Sequence, residues 1–177
     1  TGSMKPTILE GDRIAVNKLA YDLKVPFLGW QLARWGGPSR GDVVVCQSPE
    51  DGVRLVKRVI GLPGDRIEMR DNRLIINGEA VVYESPSSES SGQFDANDRF
   101  SHEFAFEHLG QASHPIMTTP AIRARRFIAP ITVPVGCYLV LGDNRDQSKD
   151  SRYFGFMPRD QISGRAFVYN IRLQRME

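Results

Sequence analysis

The apolar runs of this chain are short and are separated by Gly, Pro, Asn and Asp, which limits the fold more than any other sequence feature. The clearest runs cover residues 13–16, 42–46, 53–60, 66–69, 73–76 and 80–83. Short runs between turn residues are typical of strands, whereas a membrane-spanning helix needs about 18 or more apolar residues in succession. The chain has no apolar run of that length, and we predict a mainly β fold.

Two turn signals indicate how these strands pair. Asp71-Asn72 stands between the runs at 66–69 and 73–76, and Asn77-Gly78 stands between the runs at 73–76 and 80–83. Asn and Gly tolerate the positive φ angles that tight hairpin turns require. We therefore expect antiparallel, strongly curled sheets with few short helices.

The chain is 177 residues long, which fits one domain or one domain with a smaller insertion. Residues 85–92 are rich in Ser, a composition typical of a loop, and the pattern of short strands changes from there to about residue 126. We predict a main β domain from residues 1–78 and 127–177, interrupted by a smaller, variable, β-rich module at residues 79–126. The chain begins at Thr1 without an initiator Met, and we expect it to be a fragment.

The three histidines of the chain, His102, His108 and His114, all fall in the inserted module. Their spacing matches no common arrangement of metal ligands, such as two His four residues apart on a helix. We therefore predict no metal site and expect these side chains to be exposed.

Charge and cysteine content exclude some functions and leave others open. The formal net charge is +2, and Lys and Arg are spread along the chain, which argues against a nucleic-acid binder. Cys46 and Cys137 lie in apolar stretches and are expected to be buried thiols, although a disulfide between them stays open.

An irregular stretch at residues 18–37 contains Trp30 and Trp35 among several other aromatic and apolar residues. Helical spacing would place several of them in the core. Alternatively, they form an exposed aromatic rim at a membrane interface, where Trp is often found.

Three polar clusters are candidates for chemistry: residues 1–7, 57–65 and 142–152. Each also has a purely structural explanation. Pro63-Gly64-Asp65 forms a good type II turn, and the Asp- and Asn-rich third cluster fits Asx-turns joined by surface ion pairs. No single cluster predicts a function.

A serine nucleophile requires a base, and none of the three clusters contains a histidine. A lysine can serve if it is neutral, which burial achieves by lowering its pKa from roughly 10.4 by up to 3–5 units. Lys57 is the best candidate, because it interrupts the apolar run at residues 53–60. The alternative is an ordinary strand lysine on the solvent face.

Together, the three clusters resemble the type I signal peptidases, serine proteases with a Ser/Lys dyad. Ser3 lies in Gly-Ser-Met-x-Pro-Thr, and Lys57 opens Lys-Arg-Val-Ile-Gly-Leu-Pro-Gly-Asp. The third cluster reads Gly-Asp-Asn-Arg-Asp-x-Ser-x-Asp-Ser-Arg. The three motifs occur in the order of the family, and the likeness covers nearly the whole chain apart from residues 84–126.

The resemblance implies a role for each matched residue. Ser3 would be the nucleophile and Lys57 the general base, while Ser148 would hydrogen-bond the Lys57 amine. The Thr1 hydroxyl would join the Ser3 backbone N–H in the oxyanion hole. Ion pairs that support the site would involve Asp143, Arg145, Asp150 and Arg152. The substrate pockets would be lined by Met4, Ile8, Leu55 and Val56.

The resemblance also implies the reaction and its place. The enzyme would remove N-terminal signal peptides from exported preproteins, cutting after small residues at positions −1 and −3. It would act at a membrane lipid surface on the outer, periplasmic face of the cytoplasmic membrane, without a metal, a cofactor or nucleic acid. The transmembrane anchor of the family is absent from this chain.

Three alternatives stay open at this point. The chain could be a related Ser/Lys peptidase, either a pilin-processing enzyme or a self-cleaving repressor. It could also be a catalytically impaired fragment that binds exported peptides without cutting them. A β domain with no enzymatic role would leave the three ordered motifs unexplained.

Overall fold

The computed structural model describes residues 2–24, 31–34, 36–86 and 101–169. These residues form mainly strands: β1 (Arg13–Asn17), β2 (Asp22–Lys24), β3 (Gln31–Arg34), β4 (Val43–Gln47), β5 (Arg54–Gly61), β6 (Arg66–Arg70), β7 (Arg73–Ile76), β8 (Glu79–Ala80), β9 (Val82–Glu84), β10 (Glu103–Leu109), β11 (Ala112–Thr118), β12 (Ile128–Thr132), β13 (Cys137–Leu141), β14 (Met157–Pro158) and β15 (Ile162–Tyr169). The helical segments are short: α1 (Ser151–Phe154) and three 3₁₀ turns at Gly2–Met4, Arg145–Gln147 and Arg159–Gln161.

The strands form four open sheets, of which the largest has the order β1-β15-β4-β5-β13-β14. A second sheet has the order β12-β6-β7-β8, a third has the order β11-β10-β9, and β2 pairs with β3. All of these strand pairs are antiparallel, so the predicted mainly β, antiparallel fold class is confirmed. The register shifts between β5 and β13 and between β4 and β15, and such irregularities bend strands.

The predicted turns are where the sequence places them. Asp71 and Asn72 have φ angles of 47° and 61°, and they connect β6 to β7. Asn77 and Gly78 follow with φ angles of 55° and 88°, and they connect β7 to β8. Positive φ at both central residues gives these hairpin turns the twist that matches their strands.

Strand β5 lies inside the large sheet, between β4 and β13. Every residue from Val56 to Gly61 is buried on it. Val59 packs in one apolar cluster and Ile60 in another, so both faces of the strand are covered. Full burial of such a side chain stabilises the fold by roughly 1.5–3 kcal/mol. A polar residue in the middle of this strand is therefore removed from water.

The two cysteines are not bonded to each other; Cys46 is buried and Cys137 is half-buried. Burial raises the pKa of the Cys46 thiol to about 12, which makes it a small apolar side chain rather than a reactive thiolate. Within the residues described above, no helix is both long and apolar enough to cross a bilayer. Trp30 and Trp35 lie outside the described residues.

Strands β9, β10 and β11 form the three-stranded sheet within the predicted module. The module boundary is less simple than the sequence suggests, because β8 pairs with β7 of the four-stranded sheet. In addition, the backbone N–H of Met117 on β11 donates to the carbonyl of Asp143 in the third cluster. The division of the chain into two domains stays a prediction.

Candidate active site

Ser3 and Lys57 meet although 54 positions separate them in the sequence. Lys57 Nζ lies 2.7 Å from Ser3 Oγ, within hydrogen-bond distance. Ser3 is carried by the 3₁₀ turn at Gly2–Met4, whose Met4 side chain is fully buried and anchors the turn. Lys57 extends from β5. The hydroxyl and the amine are therefore placed for direct proton transfer.

The surroundings of Lys57 favour a neutral amine. The residue is only 2% exposed, which excludes an ordinary strand lysine on the solvent face. Burial lowers the pKa of Lys57, and the negative charge of Asp150 opposes that shift only in part. A neutral amine beside a serine hydroxyl is the arrangement that a lysine base requires.

Arg58, the next residue on β5, holds the third cluster beside the dyad. Its guanidinium donates two hydrogen bonds to the Asp143 carboxylate, from Nε at 2.8 Å and from Nη2 at 2.7 Å. The Thr7 hydroxyl donates to the same carboxylate. Burial alone would raise the pKa of Asp143, but Arg58 holds it below its ordinary range. This bidentate pair links the three sequence clusters at one point.

Asp150 organises the other end of the third cluster. It pairs with Arg152 through Nε at 2.8 Å and Nη2 at 2.7 Å, and both side chains are fully buried. It also caps α1 and accepts a hydrogen bond from the backbone N–H of Gly142 at 3.0 Å. The loop is thus closed on itself by one carboxylate.

The four predicted support residues do not all pair with one another. Asp150 pairs with Arg152, but Asp143 pairs with Arg58, and Arg145 pairs with Glu107 on β10 at 2.6 Å. Each of the four is thus in an ion pair, two of them with partners outside the third cluster, and their supporting role stays a prediction. Both Asp143 and Arg145 are buried, and each finds the partner that a buried charge needs on a neighbouring element.

Ser148 is buried next to the dyad, yet its Oγ makes no hydrogen bond within the part of the chain that the structure describes. The expected bond to the Lys57 amine is not formed here. Gly142 lies between the two serines, and a side chain at that position would collide with Ser148 Oγ and with the Ser3 carbonyl oxygen. Only glycine allows the loop to approach the Ser3 turn this closely.

Asn144 connects the third cluster to the turn that carries Ser3. Its backbone N–H donates to the Ser3 carbonyl at 3.1 Å, and its side-chain Nδ2 donates to the Gly2 carbonyl at 3.0 Å. Thr1, the predicted second donor of the oxyanion hole, lies outside the described residues.

The predicted substrate-pocket residues separate into two clusters. Met4, Ile8 and Val56 pack together, whereas Leu55 packs against the cluster on the other face of β5. Met4 and Ile8 are 0% and 1% exposed, so they line no open surface and act as core here. Their role in substrate binding stays a prediction.

Sequence reasoning missed three residues of the site: Arg58, Glu107 and His114. Arg58 could have been suspected, because it adjoins Lys57 in the same apolar run. His114 contradicts the expectation of exposed histidines: it is buried, with Nε2 at 3.2 Å from Glu107 Oε1.

In the described residues no cluster of side chains is suited to hold a metal ion.

The cleft between the β6–β7 turn and the three-stranded sheet does not contain Ser3 or Lys57. Its volume is about 590 Å³, and it is lined by Arg73, Tyr83 and Phe104 among others.

Comparison with known sequences identifies the family to which these three clusters belong. The profile of the family described as "Signal peptidase, peptidase S26" matches residues 1–170, which include all three clusters. The chain belongs to the signal peptidase family. In this member, the matched segment ends within one residue of the last described strand.

Curated relatives carry the same family name. A signal peptidase I from Pseudomonas aeruginosa is 40% identical over 183 residues, and one from Pseudomonas fluorescens is 38% identical over 180 residues. Each match covers 95% of this chain and 61% of the relative. A signal peptidase IB from Staphylococcus aureus is 34% identical over 163 residues, covering 92% of this chain and 70% of the relative.

A solved signal peptidase I from Enterococcus faecalis V583 is 34% identical, with a TM-score of 0.44 over 72% of this chain and 95% of that one. The family assignment depends on the sequence matches. This signal peptidase family member spans about three fifths of the length of its Pseudomonas relatives.

Proposed function

We propose that this chain is the catalytic part of a serine endopeptidase that removes N-terminal signal peptides from exported preproteins. The observation that carries the proposal is the 2.7 Å contact between Ser3 Oγ and a buried Lys57 amine. The curated relatives are named signal peptidases, which supports signal peptides as the substrate class.

The proposed reaction begins with attack of Ser3 Oγ on the carbonyl carbon of the scissile bond. Neutral Lys57 accepts the hydroxyl proton, and the negative charge that develops on the carbonyl oxygen is met by the Ser3 backbone N–H and the Thr1 hydroxyl. The Lys57 ammonium then donates its proton to the leaving amine. An ester between Ser3 and the signal peptide remains.

Water completes the cycle. Lys57, neutral again, removes a proton from a water molecule whose oxygen attacks the ester carbonyl. The ester bond breaks, the Ser3 oxygen regains a proton from Lys57, and the signal peptide leaves as a carboxylic acid. In this scheme the Ser148 hydroxyl would have to turn toward the Lys57 amine to orient it, since the two are not hydrogen-bonded in the structure. No metal or organic cofactor takes part.

Small residues at positions −1 and −3 are the expected specificity. The substrate would lie as an added strand beside the dyad, where backbone hydrogen bonds provide affinity and shallow pockets select short side chains. Leu55 is the one half-buried member of the predicted pocket set, and it adjoins Lys57 on β5.

Cleavage of a peptide with an Ala-x-Ala site, followed in detergent from about pH 6 to 10, tests this function. We expect cleavage after the second Ala, rising with pH through one ionisation, because the neutral form of a lysine with a lowered pKa is the active one. The matched control is the same peptide with Phe at position −1, which we expect to resist cleavage. Equal cleavage of both peptides would contradict the proposed specificity.

The alternatives predict different outcomes. An impaired fragment would bind the peptide without cutting it, and Ser3 would not be labelled by an acylating β-lactam-type reagent. A pilin-processing enzyme would prefer its own precursor over an Ala-x-Ala peptide, and a self-cleaving repressor would cut itself. The ordered match to the signal peptidase family favours the proposed function.

We place this reaction on the outer face of the cytoplasmic membrane. The aromatic residues of the stretch at 18–37, Trp30 and Trp35 among them, would contact the lipid surface. The chain should then co-sediment with phospholipid vesicles, and its Trp fluorescence should change on binding. Unchanged fluorescence and recovery of the chain in the supernatant would contradict the membrane contact.

A further inference from the structure

Glu107 is a fully buried acid on β10 that the proposed reaction does not use. Its Oε1 accepts a hydrogen bond from Arg145 Nη2 at 2.6 Å, and its Oε2 accepts one from the Tyr83 hydroxyl at 2.6 Å. His114 Nε2 lies 3.2 Å from Oε1. Both carboxylate oxygens are thus held, and the side chain has a single orientation.

The carboxylate is charged. Burial alone would raise the pKa of Glu107, but Arg145 and His114 hold it far below its ordinary range. Glu107 and Arg145 form an ion pair in which both side chains are 0% exposed. Such a pair adds little net stability over an apolar pair of the same shape, whereas it restricts geometry strongly.

Arg145 connects Glu107 to the loop beside Ser3 and Lys57. While Nη2 is held by Glu107, Nε donates to the Gly142 carbonyl at 3.2 Å. Gly142 contacts Ser3 closely, and the neighbouring Asn144 N–H donates to the Ser3 carbonyl. Glu107 is therefore connected to the backbone of Ser3 through two intermediate residues, Arg145 and Gly142.

The β10–β11 hairpin supports the same loop at a second point. The Met117 N–H donates to the Asp143 carbonyl at 2.9 Å, and His114 Nε2 lies 3.8 Å from Asp143 Oδ1. The hairpin of the predicted module thus packs directly behind the loop that holds Ser3.

We propose that Glu107 is a positioning residue for hydrolysis at Ser3: it fixes Arg145, which holds the Gly142 carbonyl and keeps the loop aligned with the dyad. This inference rests on the proposed function of Ser3 and Lys57. The β10–β11 hairpin is then part of the catalytic apparatus, although its sequence carries none of the three motifs.

Glu107→Gln tests the proposal, because glutamine keeps the shape of the side chain and removes its charge. We expect kcat to fall at least about tenfold while KM changes less than about twofold, since substrate contacts are untouched. The matched control is Glu103→Gln, an exposed acid on the same strand, which should keep the parent kcat. An unchanged kcat in Glu107→Gln overturns the proposal.

A double variant separates positioning from stability. Glu107→Leu with Arg145→Met removes both charges, and we expect it to recover the parent melting temperature because no buried charge is left unpaired. Its kcat should stay low, because nothing holds the Gly142 carbonyl. Recovery of kcat together with stability would show a purely structural role and overturn the proposal.

A third measurement does not depend on turnover. The pH titration of the Lys57 amine by ¹⁵N NMR, assigned by its loss in Lys57→Met, should have a different midpoint in Glu107→Gln than in the parent. The charged and titratable groups acting on Lys57, namely Cys46, Asp143, Asp150 and Arg152, are unchanged in that variant. Identical midpoints would overturn the positioning role. Loss of cleavage in the parent chain itself would instead count against the proposed function.

Discussion

Replacing Lys57 with methionine is expected to lower turnover of an Ala-x-Ala peptide by at least about 10⁴-fold, and Ser3→Ala should do the same. Methionine fills the buried space of the lysine stem but cannot accept the Ser3 proton. Because the hydroxyl and the amine act as one unit, the double variant should be no worse than either single variant. Initial rates measured at the pH of highest parent activity check this.

Lys18→Met is the matched control, because Lys18 is exposed and lies in none of the three clusters. It should retain the activity of the parent chain. Substantial turnover in Lys57→Met or Ser3→Ala, after trace contamination is excluded by a second preparation, would refute the Ser/Lys dyad.

Unfolding of the variant does not explain the expected loss of turnover, because Lys57→Met should be more stable than the parent chain. Burial lowers the pKa of Lys57, so between that lowered pKa and the ordinary value of about 10.5 the unfolded chain binds more protons than the folded chain. The contribution of Lys57 to stability therefore increases as pH rises through this window. In urea denaturation, the free energy of unfolding at pH 7 should be larger for Lys57→Met than for the parent chain. This difference should decrease as the pH approaches 10.5.

Gly142→Ala is expected to lower kcat by about 100-fold or more. The added methyl group would collide with the Ser3 carbonyl oxygen and with Ser148 Oγ, so the Ser3 turn and the third cluster must move apart. Displacing catalytic groups by about 1 Å commonly costs two orders of magnitude in rate. Steady-state kinetics of the purified variant check this.

Gly36→Ala provides the comparison for this glycine. Gly36 is exposed, and among the described residues, its chain neighbours aside, no atom lies within 4 Å of the position that its methyl group would take. It should retain parent kinetics. If Gly142→Ala matched Gly36→Ala in kcat, the close approach of the loop to Ser3 would have no catalytic importance.

Local sequence patterns predicted the strands and turns well. The apolar run at residues 53–60 overlaps β5 (Arg54–Gly61), and the Asn77-Gly78 turn connects β7 to β8. These features depend on residues close in sequence, where side-chain alternation and backbone preference act directly. The motifs also identified Ser3 and Lys57 as a pair before any contact between them was known.

The partners of buried charges could not be predicted in the same way. Arg145 was predicted to form an ion pair that supports the site, but the sequence did not indicate its partner, Glu107, 38 positions away. His114 was expected on the surface, and it is buried against Glu107 and Asp143. Arg145 belongs to the third motif, but nothing in that motif indicates a partner on β10. His114 stands in no motif or periodic pattern that indicates burial.

The sequence by itself determined a mainly β chain of the signal peptidase family, and its motifs predicted Ser3 and Lys57 as the dyad. Only the tertiary structure decided that Lys57 is buried, which lowers its pKa, and that a hairpin without motifs contacts the Ser3 loop. Burial lowers the pKa of a strand lysine only where the faces of its strand are covered, and apolar clusters cover both faces of β5 while the Ser3 turn meets the Lys57 amine. Such cover comes from residues distant in sequence, because desolvation depends on packing in space.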